Sequence, residues 1–279
     1  MKCQYAASLA ITIAIFCTSL ASSKPHQKGE FTISFKERSP LSKGSTVTAR
    51  IYGSTNSNVR IQGSRNTDYK LRNMSFEVVV PKTYNPQKPM ALMVWISAND
   101  YGNCPRSMMT PLSQQGYIFV GANKSGNEQS TLTRLGLAID AAVNMSELYN
   151  IDPNRIFISG ASGGGRCASM LSVLYPDVFT GGAFYFIGCD FWDNLRVSNK
   201  SYLPGFWKRK NIALIDSAKD HKFVFLTGSK DFNKQGTKQV YNAYKKAGFR
   251  NCLYIEVSGM GHTLPQSRHV QKGLIFLKR

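Results

Sequence analysis

Residues 156 to 170 read Ile156-Phe-Ile-Ser-Gly-Ala-Ser-Gly-Gly-Gly-Arg-Cys-Ala-Ser-Met170, and this stretch decides the fold. A short apolar strand runs into Gly160-Ala161-Ser162-Gly163-Gly164, and a helix-forming run follows at once. That is a G-x-S-x-G turn in the context it requires, strand before and helix after. Glycines two before and two after the serine suit a turn too sharp for side chains at both flanks. Such a turn lifts the Ser162 hydroxyl above the sheet, and the helix N-terminus behind it favours negative charge developing nearby. Ser162 is therefore the candidate nucleophile.

Outward from this turn, strands alternate with helical patterns. Met90-Ala-Leu-Met-Val-Trp-Ile96 is apolar on both faces, as a central parallel strand must be, and Tyr117 to Val120 is a second such run. Leu132 to Tyr149 has apolar residues at close to helical spacing, and Asp152-Pro153 breaks the chain before the Ile156 strand. Beyond the turn, strands are expected at Ala183 to Ile187, Phe223 to Leu226 and Leu253 to Val257. Helices are expected at Gly236 to Ala247 and near Gln266 to Leu277. Upstream, Phe31 to Arg38, Thr46 to Tyr52 and Met74 to Val80 alternate as strands do, and Gly53 to Thr67 is polar. The pattern predicts an α/β fold with a mostly parallel central sheet and helices on both faces. Residues 189 to 210 read as irregular and aromatic, with Phe191, Trp192, Tyr202, Phe206 and Trp207. This segment is either a wall of a substrate cleft or packing under a long connection.

The chain has 279 residues, enough for one large domain with a full core. Met1 and Lys2 lead into an apolar run from Tyr5 to Leu20, with Ser19-Leu20-Ala21 as a small-x-small cleavage signal. We therefore expect a signal peptide over 1–22, a single domain over 23–279, and a secreted or periplasmic protein without a membrane span. Export permits disulfides. Of six cysteines, Cys3 and Cys17 would leave with the leader, and Cys104 and Cys189, both in loops after strands, are the favoured pair. No Cys/His spacing suggests zinc. The net charge of +19 is scattered, with Lys208-Arg209-Lys210 the densest run and no nucleic-acid motif beside it. It reads as a solubilising surface, or as attraction to an anionic surrounding such as an acidic polysaccharide.

A serine hydroxyl needs a base, and the base needs an orienting partner. In this architecture the groups sit at the carboxyl ends of strands, in the chain order Ser, Asp or Glu, His. Asp231 follows the Phe223 strand and His262 follows the Leu253 strand, so both have the right order and the right end. The rival histidines are His26 near the leader, His221 before its strand, and His269 in the last helix. The rival acids are Asp190, Asp193 and Asp220. The oxyanion formed by attack on a carbonyl needs two N–H donors. Gly163 is one candidate, and Ala98 or Asn99, in the loop after the Met90 strand, supplies the other.

The chain resembles the α/β-hydrolase superfamily, and within it the secreted polyhydroxybutyrate-depolymerase-like and feruloyl-esterase-like group. The resemblance rests on Tyr149-Asn-Ile-Asp-Pro-Asn-Arg-Ile156, Ser159-Gly-Ala-Ser-Gly-Gly-Gly165, Tyr175-Pro-Asp-Val-Phe179, Thr227-Gly-Ser-Lys-Asp231 and Gly259-Met-Gly-His262. It covers roughly residues 75 to 279. Where many relatives are His-Gly or Gly-rich after the oxyanion strand, this chain reads Trp95-Ile-Ser-Ala-Asn-Asp100. The resemblance maps nucleophile, acid and base onto Ser162, Asp231 and His262. It implies hydrolysis of carboxylic esters through an acyl-enzyme with no cofactor, with polymer- or polysaccharide-linked esters favoured. A serine peptidase would usually carry a propeller or cap domain. A binding protein on the same scaffold would normally have lost a member of the triad.

Overall fold

A computed structural model of the chain describes residues 26–52, 69–198, 201–207 and 211–279. The expected leader, the whole polar 53–67 stretch and the 208–210 basic run lie outside them. Ten strands and seven α-helices occur among the described residues. The strands are β1 (Gly29–Ile33), β2 (Phe76–Val80), β3 (Met90–Ile96), β4 (Tyr117–Ala122), β5 (Ile151–Ala161), β6 (Gly182–Phe186), β7 (Leu195–Ser198), β8 (Ser201–Leu203), β9 (Lys222–Gly228) and β10 (Asn251–Val257). The helices are α1 (Gly44–Tyr52), α2 (Arg106–Gln115), α3 (Thr131–Leu148), α4 (Gly163–Leu174), α5 (Ile212–Ala218), α6 (Lys234–Lys246) and α7 (Ser267–Lys278).

Eight strands form one sheet in the order β1-β2-β4-β3-β5-β6-β9-β10. The first two neighbour pairs, β1 with β2 and β2 with β4, are antiparallel, and all the others are parallel. The expected α/β fold is therefore present. The run Met90–Ile96 shows why its composition is apolar throughout: Leu92, Val94 and Ile96 enter the core on one face, and Ala91, Met93 and Trp95 enter the core on the other. One face is closed by α1, α3, α4 and α6, the other by α2 and α7. Because successive strand side chains alternate, a polar residue on such a strand is buried on either face and needs a hydrogen-bond partner there.

Several local expectations are corrected. Thr46 to Tyr52, read as a strand, is helical in α1. Val47 and Ile51, both buried, are four residues apart, a spacing that satisfies helix and alternating strand alike. The first strand stops at Ile33 rather than Arg38. The break at Asp152-Pro153 is a bulge inside β5, where the partner of β3 jumps from Ile151 to Ile156. Helix α2, with Pro111 inside it, had no counterpart among the expected elements, and neither did α5. The irregular 189–210 segment contains the β7–β8 hairpin. Phe191, Trp192 and Trp207 are buried, and the first two pack on Tyr244.

The expected Cys104–Cys189 bridge is not formed, and all four described cysteines are free thiols. The sheet stands between them: Cys104 belongs to the α2/α7 core and Cys189 to the opposite one. No helix among the described residues is long and apolar enough to cross a membrane.

Candidate active site

Strand β5 ends at Ala161 and α4 begins at Gly163, so Ser162 alone makes the turn. Its backbone takes φ 54° and ψ −118°, a left-handed conformation that non-glycine residues rarely adopt. The turn is held on both sides: Ser162 N–H donates to Phe186 O at 2.9 Å, and Ser162 O accepts from Arg166 N–H at 3.1 Å. Close packing explains the glycines. A Cβ at Gly164 would lie 2.0 Å from the Ile96 carbonyl oxygen, so α4 approaches the end of β3 as only glycine allows.

Asp231 and His262 lie in the loops after β9 and β10, and backbone bonds bind these loops into one unit. Lys230 N–H donates to Met260 O and Ser229 N–H to Val257 O, both at 2.9 Å. The Asp231 carboxylate is fully shielded from solvent. It accepts from Thr227 Oγ1 at 2.8 Å and from Asn233 N–H at 2.9 Å. His262 Nδ1 lies 2.8 Å from Asp231 Oδ1, and His262 Nε2 lies 2.9 Å from Ser162 Oγ. A carboxylate can only accept, so Nδ1 carries the proton and Nε2 is left as the acceptor for the serine hydroxyl. Phe232, exposed to solvent, stacks on the outer face of the imidazole with ring centroids 4.1 Å apart.

The structure thus brings Ser162, Asp231 and His262 together, and it leaves the rivals elsewhere. His26 packs against Tyr84 and Tyr149, His269 is beside Arg268 on α7, and His221 precedes β9 at the far end of the sheet. Asp190 is ion-paired with Arg166, and Asp220 with Arg250. Asp193 lies in the segment that leads to β7. Burial raises the Asp190 carboxyl above its ordinary range, and Arg166 counters this.

The three oxyanion candidates differ in their bonds. Gly163 stands at the first turn of α4, where its N–H has no intrahelical acceptor. Asn99 N–H is already spent on Ser97 Oγ at 3.0 Å. Among the described residues nothing accepts from Ala98 N–H, whereas Ala98 O accepts Asn127 N–H at 3.0 Å. The Asn127 side chain reaches Gly163 as well: a Cβ there would lie 2.1 Å from Asn127 Oδ1.

A cavity lined by Arg166, Gly188, Val197, Leu203, Phe232 and Asn233 adjoins the site through Gly188, which lies against the Ser162 backbone, and Phe232, which stacks on His262. The hairpin side chains Val197 and Leu203 give it an apolar wall, and Arg166, Asn233 and Gln235 a polar one. Sequence reading missed Asn127, Arg166 and Phe232. Arg166 carried a usable signal, one helical turn after the nucleophile. Asn127 carried none, because its loop reaches the site only through the tertiary fold.

No family model matches the chain. A curated polyhydroxybutyrate depolymerase from Talaromyces funiculosus is 28% identical over 153 residues, 48% of this chain and 44% of that protein. The chain spans less than half the length of this relative. Among solved structures, the apo form of Thermogutta terrifontis esterase 2 superposes with a TM-score of 0.52 at 16% identity, covering 77% of this chain and 89% of that one. A hyperthermophilic esterase from Pyrobaculum calidifontis gives 0.54 at 14% identity, covering 74% and 79%. At such identities the superpositions speak to the fold alone. The chain thus has the α/β-hydrolase fold, and part of it is similar in sequence to a polyhydroxybutyrate depolymerase.

Proposed function

We propose that this protein is a serine esterase that cleaves carboxylic esters through an acyl-enzyme, with Ser162, His262 and Asp231 as its catalytic residues. The observation that carries the reading is the continuous relay of 2.9 Å and 2.8 Å from Ser162 Oγ through the imidazole to Asp231. The serine oxygen attacks the carbonyl carbon as Nε2 takes its proton. The imidazolium is stabilised by the buried carboxylate and then delivers that proton to the departing alcohol oxygen. Water enters and attacks the acyl carbon as His262 takes its proton, and the imidazolium returns that proton to Ser162 Oγ as the acyl–oxygen bond breaks and the carboxylic acid leaves. The negative oxygen of each tetrahedral intermediate is held by the N–H groups of Gly163 and Ala98. This cycle conserves electrons and calls for no cofactor.

The preferred substrate in this reading is an ester in or on a polymer. Two features support it: the name of the depolymerase relative, and a net charge of +19 that favours anionic surroundings. Residues 23–279 act as one catalytic domain, exported behind a leader over 1–22. The test is turnover of p-nitrophenyl acetate and butyrate by wild type and Ser162→Ala, followed by hydroxybutyrate oligomers, acetyl-xylan and methyl ferulate. Wild type should hydrolyse the nitrophenyl esters and at least one polymer-linked class, and the variant none. Equal turnover in the variant would reject the nucleophile; activity on nitrophenyl esters alone would reject the polymer preference.

A further inference from the structure

Arg134 is buried in the first turns of α3, yet among the described residues no carboxylate pairs with it. A cation near a helix N-terminus also opposes the helix dipole, and no acidic residue in that turn offsets it. Burying an unpaired charge is costly, so the guanidinium must be held for something its neighbours gain. Its two bonds say what. Nε donates to Ser125 O at 2.8 Å, and Nη2 donates to Ser97 O at 3.0 Å.

The Ser97 carbonyl and the Ala98 N–H belong to the same planar trans peptide and point in opposite directions. Gripping Ser97 O from the core side therefore aims Ala98 N–H the other way, outward at the carboxyl end of β3, where Ser162 stands. The next peptide is fixed too: Ala98 O accepts Asn127 N–H, and Asn99 N–H is bound by Ser97 Oγ. The second carbonyl on Arg134, Ser125 O, belongs to the loop that carries Asn127. This loop is tied to the first by Lys124 N–H to Asp100 O and by Gly126 N–H to Asp100 Oδ1, both at 2.8 Å. One guanidinium thus joins the two loops that frame the space beside Gly163.

We propose that Arg134 is the positioning residue of the oxyanion hole: it orients and polarises the Ser97–Ala98 peptide so that Ala98 N–H is the second donor to the tetrahedral intermediate. The proposal rests on the esterase reading above. Drawing electron density toward the Ser97 carbonyl makes the N–H of that peptide a stronger donor. The gain falls on the transition state, where the oxygen is charged, and hardly on bound substrate.

The experiment compares wild type, Arg134→Met and Arg134→Lys with p-nitrophenyl butyrate, after thermal melts establish that each is folded. In parallel, the rate at which diethyl p-nitrophenyl phosphate modifies Ser162 is followed by peptide mass mapping. Arg134→Met should lose about 30- to 300-fold in kcat with KM within about threefold, since one donor is misdirected. Serine modification should slow in step, because the phosphoryl oxygen uses the same hole. Arg134→Lys, whose ammonium reaches one carbonyl, should recover part of the loss, and it decides the matter if the methionine variant does not fold. Unchanged kcat in a folded variant, or a loss carried by KM, would overturn the proposal. A wild type that neither turns over esters nor is modified at Ser162 would remove the reaction itself, and the proposal with it, before any Arg134 variant is needed.

Discussion

Ser162 holds a backbone conformation that costs about 1–3 kcal/mol in a residue with a side chain, and the strain is opposed by its bonds to Phe186 and Arg166. The same economy of space makes neighbouring glycines answer differently to one methyl group. At Gly164 the methyl would meet the Ile96 carbonyl, a fixed backbone atom 2.0 Å away. Gly164→Ala should therefore cost about 1–3 kcal/mol, read as a lower denaturation midpoint. At Gly163 the obstacle is the far end of the Asn127 side chain, which can swing aside. Gly163→Ala should keep the wild-type midpoint. The bond from Thr227 Oγ1 is one of two that hold the Asp231 carboxylate besides its bond to His262. Thr227→Val should lower kcat by about tenfold by leaving a buried acceptor short of a donor. Asp231→Asn, which reverses the tautomer that Nδ1 requires, should lower it by on the order of 10³–10⁴. Both are read from steady-state kinetics.

At the scale of elements, the site is made by the ends of β3, β5, β9 and β10, and these were the parts most legible in the sequence. Runs such as Met90–Ile96 and Phe223–Leu226 are apolar on both faces because both faces are covered, and no helix pattern competes with that signal. Glycine spacing identified the turn at Ser162, and strand order identified Asp231 and His262. Elements whose spacing is shared by two structures were not legible. Val47 and Ile51 fit a strand or a helix, and what decides for α1 is packing on α3 and α4. Helix α2 was hidden by Pro111, a residue that argues against helix until its neighbours bury Met108 and Leu112. The loop carrying Asn127 and the guanidinium of Arg134 reach the site through contacts between residues far apart in the chain, and no local pattern records such contacts. Helix α1 is tied to the rest by Arg50, whose Nη1 donates to Leu174 O at 2.8 Å and whose guanidinium takes Asp177 in a two-pronged pair. Burial alone would raise the Asp177 carboxyl; the hydrogen bond and charge of Arg50 outweigh it and hold the group below its ordinary range. A lowered carboxyl stabilises the fold above its unfolded pKa, and the gain is lost as pH falls through the folded value. The pair is half-exposed, so Asp177→Asn should cost about 1 kcal/mol at neutral pH, and the difference from wild type should close in acid. Urea midpoints at pH 7 and at about pH 2 check this.

For the whole molecule, the division of the core by the sheet explains why the Cys104 thiol stays apart from the other three. Burial pushes the Cys104 thiol up to about 12 and the Cys167 thiol up to about 11, and it raises Cys189 as well. A raised thiol pKa leaves little thiolate at neutral pH, and thiolate is the reactive form. Native protein at pH 8 should therefore leave these three unmodified by a thiol reagent. Unfolding without reductant should expose all of them, whereas a Cys104–Cys189 bridge would keep two unlabelled. The fold as a whole serves to hold three side chains, from positions 162, 231 and 262, within hydrogen-bond reach across separate strand ends. The most direct measurement of what that arrangement does is acid quench of the protein during turnover of p-nitrophenyl acetate, followed by peptide mass mapping. The account predicts an acetyl group on the peptide bearing Ser162, absent from Ser162→Ala. Turnover with that peptide unmodified, or with the acyl group on another residue, would contradict it.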